Sequence, residues 1–349
     1  HHFILIGFCF AIFLSGGPIF DRQSAWAESP DLSRLESQLQ SEPQNVKLRS
    51  QIAQLLSPLP DKQNKIIELL NPYVDEIELN SQMILAMAFH QTESFDDEVR
   101  VLKKVITKNE SNHLTLYKLG IAYTKIGDST QATINFRKSI KLQKNFRPAY
   151  EALLEIFQVS KNNYESRAIL REMERHFGKD PEIYSHLCRL DSLDGYIDTA
   201  IESCQLAIKL DPEFPDNAVY LSQSYIDQRN EAKAAQILLK SARRFPQSEF
   251  VQRSAGEYYL NQKNYAVAQK YFIQALKVDD KSSGAQLGLA LCQFEKGMYE
   301  ESLISFSKAC KLDEIAIDKI RESSGKLRLA KETEWSRKFS QQIYKCKKK

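Results

Sequence analysis

The sequence predicts an all-α fold in which antiparallel helix pairs stack into a solenoid. Three observations predict it. Apolar residues recur at spacings of three and four through segments rich in alanine, leucine, lysine and glutamate, the period of helices with one buried face. Glycine and proline number only 12 and 11 in 349 residues, few for a chain of many short strands. Whole phrases also return: NYAVAQKYFIQALKVD, Asn264 to Asp279, comes back thirty-four residues later as MYEESLISFSKACKLD, Met298 to Asp313.

Composition sets the outer limits. With 42% hydrophobic and 27% charged residues the chain is of ordinary globular type. At this length one compact core is unusual, so several domains or a repeat array is expected. A formal net charge of +3 gives no reason to choose nucleic acid as a partner.

The first element is a targeting segment over 1–27. After His1-His2 the run Phe3 to Leu14 carries no charge, and it is followed by Ser15-Gly16-Gly17-Pro18 and then Ala25-Trp26-Ala27 before Glu28. An apolar stretch, a helix-breaking Gly-Gly-Pro and an A-x-A tripeptide lay out a secretory signal peptide. An uncleaved anchor is the second reading, because Phe3 to Phe20 just reaches across a bilayer. Cys9 does not fit a lipoprotein acceptor, since bulky Phe8 stands where a small residue is required. Leu32, Leu35 and Leu39 then fit a first capping helix within 28–44.

The repeat array follows over 45–316. Set in rows of thirty-four from Leu79 to Ala316, seven rows share columns. One column reads Leu85, Leu119, Leu153, Leu187, Leu221, Ala255, Leu289. The residue after each is small in six of seven: Ala86, Gly120, Leu154, Cys188, Ser222, Gly256, Ala290. Twelve residues on lies a second small column, Glu98, Ala132, Ser166, Ala200, Ala234, Ala268, Ser302, and four further on comes Leu102, Phe136, Leu170, Cys204, Leu238, Phe272, Phe306. Two helices joined by a tight turn, marked by Gly127, Gly195 or Gly297, lie antiparallel. Where they cross most closely neither can hold a large side chain, so the small columns face each other and the larger ones flank them. One hairpin cannot bury both apolar faces, so each row must stack on the next. A weaker row, Asn45 to Glu78, precedes the seven, with Ile52-Ala53 at the crossing and a proline-containing turn from Ser57 to Asp61.

These rows resemble tetratricopeptide repeats. Leu119-Gly120-x-x-Tyr123, Ala132 and Phe136 match the family pattern, as do Gly256-x-x-Tyr259, Tyr265, Ala268, Phe272 and Ala275, and Ala200, Ala207 and Pro212. The family's leading tryptophan is absent, with Tyr150 and Tyr184 the nearest substitutes. The row from Arg147 to Asp180 departs most, having bulky Leu154 at the crossing and no consensus glycine at its turn. The resemblance implies a right-handed superhelical solenoid of about eight repeats whose concave groove binds other proteins. It does not extend to chaperone-tail binding, because the lysine and asparagine set of that carboxylate clamp is missing from adjacent rows.

Closure of the stack falls to 317–349: a helical run from Glu314 to Glu322, a Ser-Ser-Gly break, and a polar helix from Lys326 to Tyr344 with a basic tail. That tail reads as a solvated terminal helix, or as a surface for anionic lipid or an acidic partner.

Searching for chemistry gives little. There is no H-E-x-x-H, G-x-S-x-G, P-loop or dinucleotide glycine cluster, so no catalytic residue, cofactor site or metal site is predicted. His90, His113, His176 and His186 are scattered over different rows. Of the cysteines, Cys188 and Cys204 are nearly equidistant from the turn at Gly195, which suits either a disulfide in an oxidising compartment or two buried small hydrophobes. Cys292 and Cys310 share a hairpin less evenly.

Removing the packing columns leaves a first-helix face as the partner-binding groove: Met83 and Met87; Tyr117, Lys118 and Ile121; Glu151 and Glu155; Ser185 and Arg189; Tyr220 and Gln223; Arg253 and Glu257; Leu287, Leu291 and Phe294. Apolar ends and a mixed-charge middle suit a partner helix or extended segment with apolar anchors. The expectation is an exported, non-catalytic adaptor of the bacterial envelope; the alternatives are an assembly factor for envelope biogenesis tethered by its N-terminus with the repeats in the cytoplasm, and an accessory subunit of an enzyme complex.

Overall fold

The computed structural model describes residues 30–108 and 112–347; residues 1–27, expected to be a signal peptide or anchor, lie outside them. Among the described residues the regular elements are all helices. They are α1 (Pro30–Ser41), α2 (Val46–Leu56), α3 (Gln63–Leu70), α4 (Leu79–Gln91), α5 (Phe95–Lys108), α6 (His113–Lys125), α7 (Ser129–Leu142), α8 (Arg147–Val159), α9 (Asn163–Phe177) and α10 (Pro181–Leu193). There follow α11 (Ile197–Leu210), α12 (Asp216–Asp227), α13 (Glu231–Arg244), α14 (Glu249–Asn261), α15 (Tyr265–Val278), α16 (Ser283–Glu295), α17 (Tyr299–Leu312), α18 (Ile315–Leu329) and α19 (Thr333–Lys347). None is long and apolar enough to cross a membrane. The chain divides into two compact units between Asn162 and Asn163, inside the row that departs most from the pattern.

The turn within each row is built the same way. Residues 93, 127, 161, 195, 229, 263, 297 and 331, thirty-four apart, all have positive φ. A left-handed residue there lets the next amide reach back to close the first helix, as in Asp128 N to Tyr123 O and Asn264 N to Tyr259 O, both 2.9 Å. The same Asp128, Asn230 and Asn264 side chains then accept from the first free amides of the second helix, those of Gln131, Lys233 and Val267. One position therefore ends one helix and starts another.

The crossings explain the small columns. An added Cβ on Gly120 would lie 2.5 Å from the Phe136 ring, and one on Gly256 2.8 Å from that of Phe272. Phe272 is caught from the other side as well: a Cβ on Gly288 of the next row would lie 2.3 Å from it. Serine at a crossing turns its hydroxyl to the facing backbone, from Ser222 to the Ala234 carbonyl at 3.0 Å and from Ser302 to that of Ala290 at 2.9 Å. Glu98, the one acidic residue in these columns, is 4% exposed and paired with His90 at 2.9 Å.

The C-terminal boundary differs from the sequence expectation. Ser323-Ser324-Gly325 is no break: α18 runs through it to Leu329, and the turn comes at Lys331. The reason is that Ser324 sits in the small column of a further row. Its hydroxyl donates to the Ser336 carbonyl at 2.9 Å and Ser336 returns a bond to the Ser324 carbonyl at 3.0 Å. The exit cap is thus one more helix pair in register.

Two disulfides staple the second unit. Cys188 and Cys204 join the helices of one pair, with Cα atoms 4.5 Å apart. Cys310 and Cys346 join α17 to α19, a link the sequence reading did not pair. Cys292 is buried and unbonded, and burial pushes its thiol up to about 12. At the start of this unit, buried Asp191 accepts from Arg167 at 2.6 Å, and Arg167 also reaches Asp194 at 2.7 Å.

Candidate functional site

In the second unit the first helices of successive rows, α10, α12 and α14, together with Glu231 and Leu238 of α13, line a cleft of about 330 Å³. Tyr220, Phe250 and Tyr258 give it aromatic walls, and Leu193, 64% exposed at the end of α10, forms a lip. The Tyr220 and Phe250 rings pack 5.6 Å apart at 50°. Gln223, Glu231, Glu257, Asn261 and Gln262 bring polar groups to the same space. An aromatic floor with separated amides and carboxylates can seat an apolar side chain and hold the flanking peptide groups by hydrogen bonds.

Hydrogen bonds hold the walls in place. Ser224 donates to Ser192 Oγ at 3.3 Å and to the Tyr220 carbonyl at 2.9 Å, and Ser192 donates to that carbonyl at 3.2 Å. Asn217 ties α12 to α10 through Ser185 Oγ at 2.9 Å. Arg253 lies across α14 between Glu249, at 3.0 Å, and Glu257, at 2.7 Å, with its guanidinium 5.2 Å from the Phe250 ring centre. It needs the glycine opposite: a Cβ on Gly284 would fall 2.8 Å from Arg253 Cδ.

Titration is shifted along this face. Burial raises the Tyr220 hydroxyl, with Arg189 and Arg253 opposing, and raises Tyr258, with Glu231 adding to it. Burial also raises Asp216, helped by the charge of Glu249. For Arg253, burial pulls downward but Glu257 and Glu249 outweigh it, so the cation is strengthened. Burial beside Arg189 lowers His186. Each shift follows from packing and ion pairing. Among the described residues no cluster of three His, Cys, Asp or Glu side chains is placed to hold a metal ion.

The predicted groove residues separate into distinct settings. Tyr220, Gln223 and Glu257 line the one cleft just described. Ile121 and Glu155 line a more open hollow of about 630 Å³ in the first unit, with Phe136, Ile156 and Phe157. Tyr117 stands edge-on to Phe146 at 5.1 Å; burial raises its hydroxyl, with Glu151 and Glu155 adding to the shift. Met87 is 44% exposed, Met83 and Lys118 are half-buried, and Glu151 accepts from Arg147 at 2.7 Å. Ser185 and Arg253 serve as supports around the second-unit cleft, and Arg189 acts on Tyr220 through its charge. Leu287 and Leu291 pack against the exit core.

Phe294 is a correction. It is 6% exposed, with its ring edge-on to Phe339 at 5.5 Å and tilted on Tyr299 at 5.6 Å, so it belongs to the core. The extra helix pair in register at the C-terminus covers it. Leu193, Phe250, Tyr258 and Asn261 were missed. Leu193, Phe250 and Asn261 stand at helix ends, and the row alignment gives weight only to the middle of each helix.

With this geometry in place, comparison with known families becomes specific. Tetratricopeptide repeat models match residues 254–314 and residues 114–146. The chain carries tetratricopeptide repeats over both stretches. A comparison with curated proteins finds no match. Among solved structures, the C-terminal part of a repeat-containing protein from Cytophaga hutchinsonii aligns with a TM-score of 0.56 at 14% identity, covering 69% of this chain and 99% of that one. That similarity shows the fold. MamA from Desulfovibrio magneticus RS-1 aligns at 22% identity over 47% of this chain and 93% of its own, with a TM-score of 0.39. YrrB, titled a tetratricopeptide repeat protein with an unusual peptide-binding site, aligns at 14% identity over 53% and 95%, with a TM-score of 0.42. Tetratricopeptide repeat proteins build extended surfaces for protein–protein interaction, and this chain shares that scaffold character.

Proposed function

We propose that this tetratricopeptide repeat protein is an exported, non-catalytic adaptor of the bacterial cell envelope that seats a partner polypeptide in the Tyr220–Phe250–Tyr258 cleft. The single observation that carries the envelope assignment is the pair of disulfides, Cys188–Cys204 and Cys310–Cys346. Such bonds persist in oxidising compartments and are rare where glutathione and thioredoxin keep thiols reduced. They favour a repeat array outside the cytoplasm, whether the apolar segment Phe3 to Leu14 is cleaved or keeps the array on the membrane. An aromatic cleft with separated polar groups favours a segment carrying an apolar anchor.

The test uses protein taken from envelope fractions, denatured and treated with a maleimide polymer before and after reduction. A chain cleaved at Glu28 gains one adduct before reduction, on Cys292, and five after it; a retained segment adds Cys9 to both counts. Five or more adducts before reduction place the array in a reducing compartment and end the export reading. In the same fractions, Gln223→Lys with Tyr258→Ala should cut cross-linked partner recovery by about tenfold or more. Unchanged recovery removes the cleft from the function.

A further inference from the structure

A second pocket of the second unit lies away from the cleft. It opens between the second helices α11 and α13 and the segment that leads into α12, and encloses about 270 Å³. Pro212, Phe214, Ile237 and Phe245 wall it, and Phe214 keeps 45% of its surface exposed. An aromatic ring left this open beside two prolines is a wall without contents.

The polar groups share one stripe of α13. Ile237, Lys240, Ser241, Arg244 and Phe245 follow at helical spacing and all line the pocket. Ser241 is 6% exposed, yet its hydroxyl has no hydrogen-bond partner among the described residues. A buried hydroxyl is ordinarily paired, because leaving it unpaired forfeits its bonds to water. Lys240 is exposed and enters no ion pair among the described residues, whereas Arg244 pairs with exposed Glu213. The pocket therefore combines apolar walls, an unspent donor and two cations flanking that donor.

We infer that this pocket binds a small amphipathic carboxylate, with the apolar body against Phe214, Ile237 and Phe245 and the carboxylate accepting from Ser241 between Lys240 and Arg244. The donor and the cations act on the same end of the ligand, since Arg244 follows Lys240 by four residues and Ser241 by three and all three line the pocket. The volume is that of one compact ligand, below the range of most drug-sized sites. A neutral molecule of the same shape would leave Lys240 unused, and an apolar one would leave Ser241 unpaired.

Octanoate, with octanol as the neutral control, is the probe, followed by amide chemical shifts of the full mature chain. Octanoate should give saturable shifts at Phe214, Ser241 and Phe245, with octanol binding about tenfold more weakly or not at all. Ser241→Ala should raise the octanoate Kd about tenfold while leaving the thermal transition of the free protein unchanged or higher. Lys240→Gln should raise the Kd and flatten its salt dependence. Ala218→Phe fills the pocket from α12 and should abolish the shifts; circular dichroism confirms that the variant is folded. Absence of saturable shifts in the unmodified chain, equal affinity for octanol, or an octanoate Kd unmoved by both Ser241→Ala and Lys240→Gln overturns the assignment.

Discussion

At the scale of single residues the eight turn positions carry the repeat most uniformly, and they do so with different amino acids. Gly127, Gly195 and Gly297 adopt φ of 84°, 75° and 75° without strain, while Glu93, Lys161, Arg229, Lys263 and Lys331 take φ between 53° and 63°. A side chain in that region costs about 1–2 kcal/mol, and glycine avoids it while losing about 0.5–1 kcal/mol more in chain entropy. The two terms give an asymmetric expectation. Gly297→Ala should destabilise the second unit by about 1 kcal/mol although nothing lies within 4 Å of the new Cβ, because the penalty is conformational. Lys263→Gly should change stability by less than about 0.5 kcal/mol in urea titration, since relief of strain and loss of entropy nearly cancel. A neutral Gly297→Ala would mean that the turn relaxes out of the left-handed region. Only three of these turns were legible in the sequence. A lysine or glutamate in a left-handed turn leaves no compositional mark, and it is recognised only once the thirty-four-residue spacing is laid over it.

At the scale of the element the helix pair is set by how closely its backbones approach. Phe272 shows the limit, its ring lodged between Gly256 of its own pair and Gly288 of the next. Gly288→Ala would push a methyl group to 2.3 Å from that ring, which neither helix can accommodate without sliding. Overpacking of this kind costs about 1–3 kcal/mol, so the variant should unfold at lower urea. Adding Phe272→Leu should recover much of the loss, a result that distinguishes a clash at the crossing from a general change in helix propensity. This crossing was readable beforehand: Gly256, Ala268 and Phe272 stand in the columns that the rows align. The exit pair was not, because Ser323-Ser324-Gly325 resembles a stop. Serine hydroxyls that find a facing carbonyl behave as small residues at a crossing, and only the facing Ser336 reveals that use. The same blindness hid the burial of Phe294, which depends on the pair that follows it.

For the molecule as a whole the relevant division is chemical. The unit that ends at Asn162 has no cysteine among its described residues, whereas the unit from Asn163 holds both disulfides and the buried Cys292. Turn distances suggested a place for the Cys188–Cys204 bond, but Cys310–Cys346 joins different pairs and emerges only when α17 and α19 pack together. In the loop-entropy description, a sequence separation of 16 corresponds to about 3 kcal/mol and one of 36 to about 4 kcal/mol. Nearest-neighbour stabilisation in a repeat array confines most of that loss to the rows concerned. Reductant should therefore lower the unfolding midpoint of the second unit by about 2 M urea or more and leave the first unit nearly where it was. Trp335 makes the two separable. It stands on α19 and packs on Tyr299 of α17 at 5.4 Å, so in a chain cleaved at Glu28 its fluorescence follows the second unit alone, while helical circular dichroism follows both. Under reduction the fluorescence transition should move ahead of the ellipticity transition, and Cys310→Ala with Cys346→Ala should reproduce most of that shift without reductant. Coincident transitions that both ignore reductant would show that the disulfides add nothing to native stability, and would leave the helix crossings to hold the second unit unaided.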